Sequence, residues 1–212
     1  EALLNYIEAS YERNGSLDNN AREYWEKLRT RAGITGSIET TIAATDMNRE
    51  AENDWAAYSG GKLLTDKTLY NIRRERRCEL LSEGFRYMDL CRWRAMDQMT
   101  TTPYVPEGMH LWNTPMEKWY IDNPHQEVLP LLADGSDKAN VSSPDKSEYI
   151  RPYQKNRSQR CFDGFVWKIA HYLEPIRIDQ IMITAPDGKT VNDSPIYQNP
   201  YWPTVAGQSA EK

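Results

Sequence analysis

The sequence predicts a mainly helical protein, in which helical hairpins carry long irregular loops and an extended C-terminal tail. Apolar residues recur at helical spacing through a core of about residues 1–99. Prolines and polar turn residues then interrupt every pattern over about 100–170, and turn signals followed by an extended tail fill about 171–212. We therefore expect one domain over 1–212 with a helical core, a loop-rich region and a C-terminal segment.

The first 33 or so residues predict two helices joined by a short turn. Asn14 and Gly15 end the first helix, because both residue types tolerate the left-handed backbone conformation. Asp18 or Asn19 caps the second helix, which stops at Gly33. Such a pair is similar to one tetratricopeptide-type hairpin, and a partner must cover the apolar face that a single hairpin leaves open. The apolar residues at helical spacing are Leu3, Leu4, Ile7 and Tyr11 in the first helix, and Ala21, Trp25 and Leu28 in the second.

A weaker helical pattern covers residues 46–58, with Thr45 available as its cap and Gly60-Gly61 as its end. The side chains expected on one face of this segment are Met47, Ala51, Trp55 and Tyr58.

The strongest predicted helix starts at about Lys67, behind Thr65 or Asp66 as its cap, and runs into the 90s. Gly84 is expected to break or kink it. Its apolar stripe indicates a helix packed on at least two neighbours. The stripe consists of Cys78, Leu81, Phe85 and Met88, widened by Leu80, Tyr87 and Leu90.

Charged residues have their own order on this helix. Glu75, Glu79 and Glu83 form a like-charged row, which is unfavourable unless cations lie beside it. Arginines interleaved with apolar residues predict a clamp that holds neighbouring helix ends and loops from inside. A phosphate-binding site and a protein–protein surface remain the alternatives. The predicted pairs are Arg76 with Glu79, Arg86 with Glu83, and Arg92 with Asp89, and the predicted clamp comprises Arg73, Arg76, Glu79, Glu83, Arg86 and Asp89.

Composition and motifs exclude several classes of function. A formal net charge of -5 argues against nucleic acid as the main partner. The three cysteines and the three histidines (His110, His125 and His171) lack ligand-like spacing, so no metal is expected. The sequence holds no nucleotide-binding glycine-rich loop, GxSxG or HExxH motif and no distinct acid/base pair. We therefore expect no cofactor, and the residues alone indicate no particular enzymatic chemistry.

The charged segment also resembles a known family signature. "IRRERRCELLSEGFRYMDLCRW" is similar to the signature helix of the SusD/RagB family. "EALLNYIEA", "AREYWEKLRTRAGI", "YLEPIRIDQI" and "YQNPYW" resemble further family segments and keep the family order. Two departures stand out, because Arg177 replaces a proline and Tyr201 stands where glycine is usual.

This resemblance implies a fold and a role that composition does not show. It implies tetratricopeptide-like hairpins that support a loop-rich ligand-binding face. It also implies a nutrient-binding lipoprotein, not an enzyme, on the outer-membrane surface of Bacteroidetes, which works with a SusC-like TonB-dependent transporter. The family protein is longer and is anchored through a lipidated N-terminal cysteine absent from this sequence, so the sequence is expected to be its C-terminal portion.

The expected ligand is a glycan or another nutrient, bound by stacking sugar faces on aromatic side chains. The alternatives are that these aromatics pack the loop onto the helices, or that the chain is a helical-repeat scaffold for protein–protein docking without its own ligand site. A further alternative is that much of the ligand site lies in an N-terminal portion outside this sequence. The candidate ligand-binding residues are Tyr104, Trp112, Asn113, Trp119, Tyr120 and Asp122.

Overall fold

The computed structural model describes residues 1–52, 54–122 and 130–211, and the predicted mainly helical class is confirmed within them. His125 lies outside the described residues. No helix in the described ranges is long and apolar enough to cross a membrane. The α-helices are α1 (Ala2–Asn14), α2 (Asn19–Arg31), α3 (Ile38–Ala44), α4 (Met47–Ala51), α5 (Lys67–Glu79), α6 (Arg86–Arg92), α7 (Pro115–Asp122) and α8 (Ile178–Ile183). A two-stranded sheet pairs β1 (Tyr58–Ser59) with β2 (Lys62–Leu63), and short 3-10 turns span Trp55–Ala57, Asp97–Thr100, Ile169–Tyr172 and Val191–Asp193.

The chain divides into two compact units. The helical unit comprises residues 1–98 and 169–212, and the loop unit comprises residues 99–168.

The α1–α2 hairpin forms as predicted. Gly15 ends α1 with a φ of 68°, and Asp18 caps α2 by accepting a hydrogen bond from Ala21 N at 2.7 Å. Helix α5 packs along α1 and supplies the cover that the hairpin needs. The core of this unit comprises the buried residues Leu4, Ile7, Ala21, Trp25, Leu28, Ile38, Ile72 and Leu80.

The segment between the hairpin and α5 differs from the prediction. Helix α3 was not predicted; Ser37 caps it by accepting from Thr40 N at 3.1 Å. Asp46, not Thr45, caps α4, because the Thr45 hydroxyl is buried and donates to Thr41 O at 2.9 Å. The pair Gly60-Gly61 forms the tight turn between β1 and β2, where both residues have positive φ (58° and 75°).

The predicted long charged helix is two helices, and the break expected at Gly84 begins a few residues before it. Helix α5 ends at Glu79, and the connector to α6 places both Ser82 and Gly84 in the left-handed region. This break rotates the later residues away from the predicted stripe. Leu81 is 77% exposed and Met88 is 67% exposed, so the predicted stripe is wrong at these positions. Leu80 and Leu90 are buried as predicted, and Phe85 packs against the core.

Arginines from α5 and α6 bond buried carboxylates on other elements. Arg76 Nε donates to Asp89 Oδ2 at 2.7 Å, and Arg76 Nη1 donates to Asn5 Oδ1 at 2.6 Å. Arg92 donates twice to Glu8, at 2.7 and 2.6 Å, and once to Asp89 at 2.9 Å. The predicted pair of Arg92 with Asp89 therefore forms, and both residues join α6 to α1 and α5.

A second carboxylate centre is Asp54, which is 3% exposed. It accepts from Arg86 Nη2 at 2.6 Å and lies 3.0 Å from Arg77 Nη1. The predicted pair of Arg86 with Glu83 is thus wrong, since Arg86 reaches Asp54 and Glu83 is exposed.

Glu79 is bonded by Arg31 of α2 rather than by Arg76, so that predicted pair is wrong as well. Spacing within one helix does not apply here, because the partners lie on different elements.

The C-terminal tail binds along residues 170–177. The Gln198 side chain accepts from Ile176 N and donates to Ile176 O, both at 2.8 Å, as a neighbouring strand would. The Trp202 indole N–H lies within 2.9 Å of Ala170 O. Arg177 has a φ of -61°, which proline also adopts, and Tyr201 has a φ of 66°, which glycine adopts readily.

Arg76→Met is expected to destabilise the helical unit by about 3–5 kcal/mol, because the substitution removes one partner of a buried ion pair. Thermal unfolding should show a fall in Tm on the order of 10 °C. Arg22→Met is the matched control, since Arg22 and Glu39 are 43% and 60% exposed and surface pairs contribute about 0–1 kcal/mol. Equal falls in Tm for the two variants would show that the buried pair of Arg76 with Asp89 contributes no more to stability than the exposed pair of Arg22 with Glu39.

Candidate functional site

Backbone pairing gives the loop unit its order. Tyr104 N donates to Phe165 O at 2.8 Å, and Phe165 N donates back to Tyr104 O at 2.7 Å. Further along, Gly108 N donates to Ile150 O at 2.7 Å, and Trp112 N donates to Glu148 O at 3.1 Å. Residues 104–112 therefore run antiparallel to the later part of the unit, although regular strands do not form.

A small apolar cluster lies beneath this pairing. Leu111, Trp112 and Val141 are buried, and Tyr120 packs against them. The Trp112 indole N–H donates to Ser142 O at 3.2 Å, which satisfies its polar atom inside the cluster. Trp112 is 6% exposed, so its ring faces have little area left for a ligand.

Helix α7 follows directly from this cluster. The Thr114 hydroxyl accepts from Met116 N at 3.2 Å, and the Glu117 carboxylate accepts from Asn113 N at 2.6 Å. Asn113 adopts a left-handed φ of 61°, which asparagine tolerates better than most residues. These bonds fix the start of α7.

The aromatic surface of α7 is open. Trp119 is 50% exposed, and its ring meets Tyr120 edge-on with centroids 5.0 Å apart and an interplanar angle of 85°. Tyr120 is half-buried and joins the apolar cluster, so it supports Trp119 from the protein side. Every residue of α7 is at least partly exposed. The helix thus presents an indole ring on a supported, solvent-facing platform.

A polar cluster lies near the first turn of α7. Glu148 bonds His110 Nε2 at 3.2 Å and accepts from Asn113 Nδ2 at 3.3 Å. The His110 ring stacks on Tyr149 with centroids 4.7 Å apart. Sequence analysis did not identify Glu148 or Tyr149, because 38 residues separate His110 from Glu148 and only the antiparallel pairing brings them together.

Glu107 forms a neighbouring charged contact. The Ser147 hydroxyl donates to it at 2.7 Å and Arg151 Nε donates at 2.8 Å. The hydrogen bond from Ser147, followed by that from Arg151, lowers the pKa of the Glu107 carboxyl below its usual range. Glu107 is therefore an anion at neutral pH and holds Arg151 in place.

The structure places the six candidate residues in three settings. Asn113 stands before α7, while Trp119, Tyr120 and the exposed Asp122 lie on it. Trp112 belongs to the buried cluster, and Tyr104 is 40% exposed within the backbone pairing to Phe165. A half-exposed indole on a helix that also carries a carboxylate, with an amide just before the helix, suits a polyhydroxylated ring, whose apolar face stacks while its hydroxyls form hydrogen bonds.

A metal centre is not part of this arrangement. Across residues 1–52, 54–122 and 130–211, no group of three or more His, Cys, Asp or Glu side chains is placed to hold an ion.

Trp112→Ala and Trp119→Ala are expected to differ in their effect on folding. Loss of the buried Trp112 removes core contacts and should cost about 3–5 kcal/mol, whereas loss of the half-exposed Trp119 should cost less than about 1 kcal/mol. Denaturant unfolding of both variants checks this difference. Comparable destabilisation by Trp119→Ala would mean that its ring serves packing rather than ligand contact.

Comparison with known proteins gives one match. A family model described as "SusD family" matches residues 1–202 of the chain. No curated protein and no solved structure matches it.

Proposed function

The chain belongs to the SusD family, and on that basis we propose that it captures a glycan at the cell surface. Proteins of this family bind nutrients such as glycans and are binding proteins rather than enzymes. The observation that carries the proposal for this chain is the half-exposed indole of Trp119, which meets Tyr120 edge-on.

The proposed mode of binding is stacking. A sugar ring covers the exposed face of Trp119, which removes apolar area from water on both partners. The Asp122 carboxylate and the Asn113 side-chain amide are the proposed hydroxyl partners. Covering about 40–80 Å² of the indole is worth about 1–2 kcal/mol at about 25 cal/mol per Å².

This contribution is modest, so several such contacts are needed for tight capture. A long polysaccharide supplies them by presenting the same ring repeatedly, which raises the effective concentration at each contact.

Transport and location follow from the family. Family members generally work with SusC-type transporters and are associated with the outer-membrane surface. We propose the same partner and location for this protein, with attachment through a lipidated N-terminus of the full-length protein. Membership of the family is what supports this part of the proposal.

Trp119→Ala in the full-length protein is expected to weaken polysaccharide binding by roughly 5–30-fold, which corresponds to the loss of about 1–2 kcal/mol. Affinity gel electrophoresis against a broad polysaccharide panel identifies a bound glycan, and calorimetry on that glycan measures the change. Tyr197→Ala is the matched control, because Tyr197 is 85% exposed but lies in the helical unit.

Two outcomes would contradict the proposal. Full-length protein that binds no polysaccharide in the panel would favour the docking-scaffold alternative. Binding that Trp119→Ala leaves unchanged would place the glycan site elsewhere in the protein.

A further inference from the structure

The helical unit contains a cavity of about 580 Å³ beside the turn of the β1–β2 hairpin. Its volume lies in the range typical of small-ligand sites. Three arginines and two acidic residues share its lining with one tryptophan; these are Arg73, Arg92, Arg94, Glu12, Asp97 and Trp93.

Arg73 is the most deeply buried of these groups, with 4% of its surface exposed. Its Nη1 donates to Ala56 O and Tyr58 O, both at 3.2 Å, and to the Ser59 hydroxyl at 3.1 Å. Within the described residues, Nε has no hydrogen-bond partner and no carboxylate forms an ion pair with Arg73.

A buried guanidinium without a carboxylate is unusual, because buried charges are normally paired. Burial lowers the pKa of Arg73, and the fields of Glu12 and Glu8 only oppose this effect. The cavity therefore has a cationic floor whose charge is not directly neutralised.

The other two arginines differ from Arg73 in exposure and in pairing. The Arg92 side chain is 44% exposed and is held by Glu8 and Asp89, while the Arg94 side chain is 50% exposed and bonds Asp97 at 2.8 Å. Arg73 and Arg92 both lie against the Trp93 ring, at 4.9 and 4.8 Å from its centroid. These contacts fix the guanidinium groups around the indole before any ligand arrives.

Arg94 occupies a position that normally favours glycine. Its φ is 52°, and Ala95 N bonds Leu90 O at 2.9 Å while Arg94 N bonds Cys91 O at 3.0 Å. This is the pattern that closes a helix with a left-handed residue, for which glycine is the usual choice. An arginine at this strained position points to a use for its side chain.

Arg92 is already paired with Glu8 and Asp89, and Arg94 with Asp97. The positive charge that remains for a ligand in this cavity is therefore that of Arg73. We infer that the cavity binds one oxyanion, the carboxylate of an acidic sugar such as a uronic acid residue, an inference that rests on the proposed glycan-binding function. The flat guanidinium fork matches a carboxylate in geometry as well as in charge. Inorganic sulfate is also an oxyanion, so the experiment compares an acidic sugar with sulfate.

The test is calorimetric titration of full-length protein with galacturonate, galactose and inorganic sulfate. Galacturonate is expected to bind at least tenfold more tightly than galactose. Arg94→Gln should weaken galacturonate binding at least fivefold, and Glu12→Gln should strengthen it, because the second variant removes a negative charge from the same cavity. Arg94→Gly also removes the guanidinium, and glycine readily adopts the left-handed conformation of this position. This variant replaces Arg94→Gln in the test if Arg94→Gln fails to fold.

Arg157→Gln is the matched control. Arg157 pairs with Asp163 at 2.6 Å and lies 4.8 Å from the Phe162 ring centroid, much as Arg94 pairs with Asp97 and lies 4.5 Å from that of Tyr172. It belongs to the loop unit, so its substitution should leave galacturonate binding unchanged.

Three results would overturn the inference. The first is equal affinity for galacturonate and galactose. The second is galacturonate binding that neither Arg94→Gln nor Arg94→Gly changes. The third is sulfate binding as tight as galacturonate binding, which would mean that the protein does not recognise the sugar. Trp119→Ala separates this site from the proposed function. If it abolishes polysaccharide binding while the Arg94 variants leave galacturonate binding unchanged, the cavity inference fails and the proposed function stands.

Discussion

The helical unit depends on buried carboxylates that receive arginines from the charged segment. Three such carboxylates are each no more than 5% exposed: Glu8 on α1, Asp54 before the β1–β2 hairpin, and Asp89 on α6. Desolvation of these carboxylates is costly, so each must keep its donors. The α1–α2 hairpin, α4 and the β-hairpin are therefore joined to α5 and α6 by polar contacts in addition to apolar packing.

The same constraint explains why the charged segment is divided. One straight helix could not place Arg76 and Arg92 on the same carboxylate, Asp89, while Arg86 reaches Asp54. The left-handed residues Ser82 and Gly84 turn the chain so that α6 lies against α5 and α1. The exposed residues of the connector, such as Leu81, are a consequence of that turn.

Local signals in the sequence were sufficient for α1 and α2, where an apolar spacing and a glycine stop agree and Asp18 caps the second helix. They were insufficient for α3, whose one buried residue, Ile38, leaves no stripe to detect. Spacing also misassigned the partners of Arg76 and Arg86, because Asp54 lies 32 residues from Arg86 and its role depends on tertiary structure.

The candidate site shows the same limit. Trp112 and Trp119 are alike in the sequence, and only the antiparallel pairing within residues 99–168 makes one buried and the other open. The two departures from the family pattern illustrate the converse, since Arg177 and Tyr201 keep backbone angles suited to the residues they replace. In these two cases the backbone angle is one that the usual family residue would also adopt.

The contact between Glu8 and Arg92 joins residues 84 positions apart, and this separation sets an order of assembly during synthesis. The contacts between α1 and α2 are local and form early, while the apolar face of the hairpin waits for α5. The Glu8 carboxylate then keeps its hydrogen bonds to water until Arg92 and Trp93 have been synthesised, because their side chains are the donors that replace those water molecules. The growing chain thus carries an early hairpin with one polar position open, and closure of that position by α6 completes the helical core.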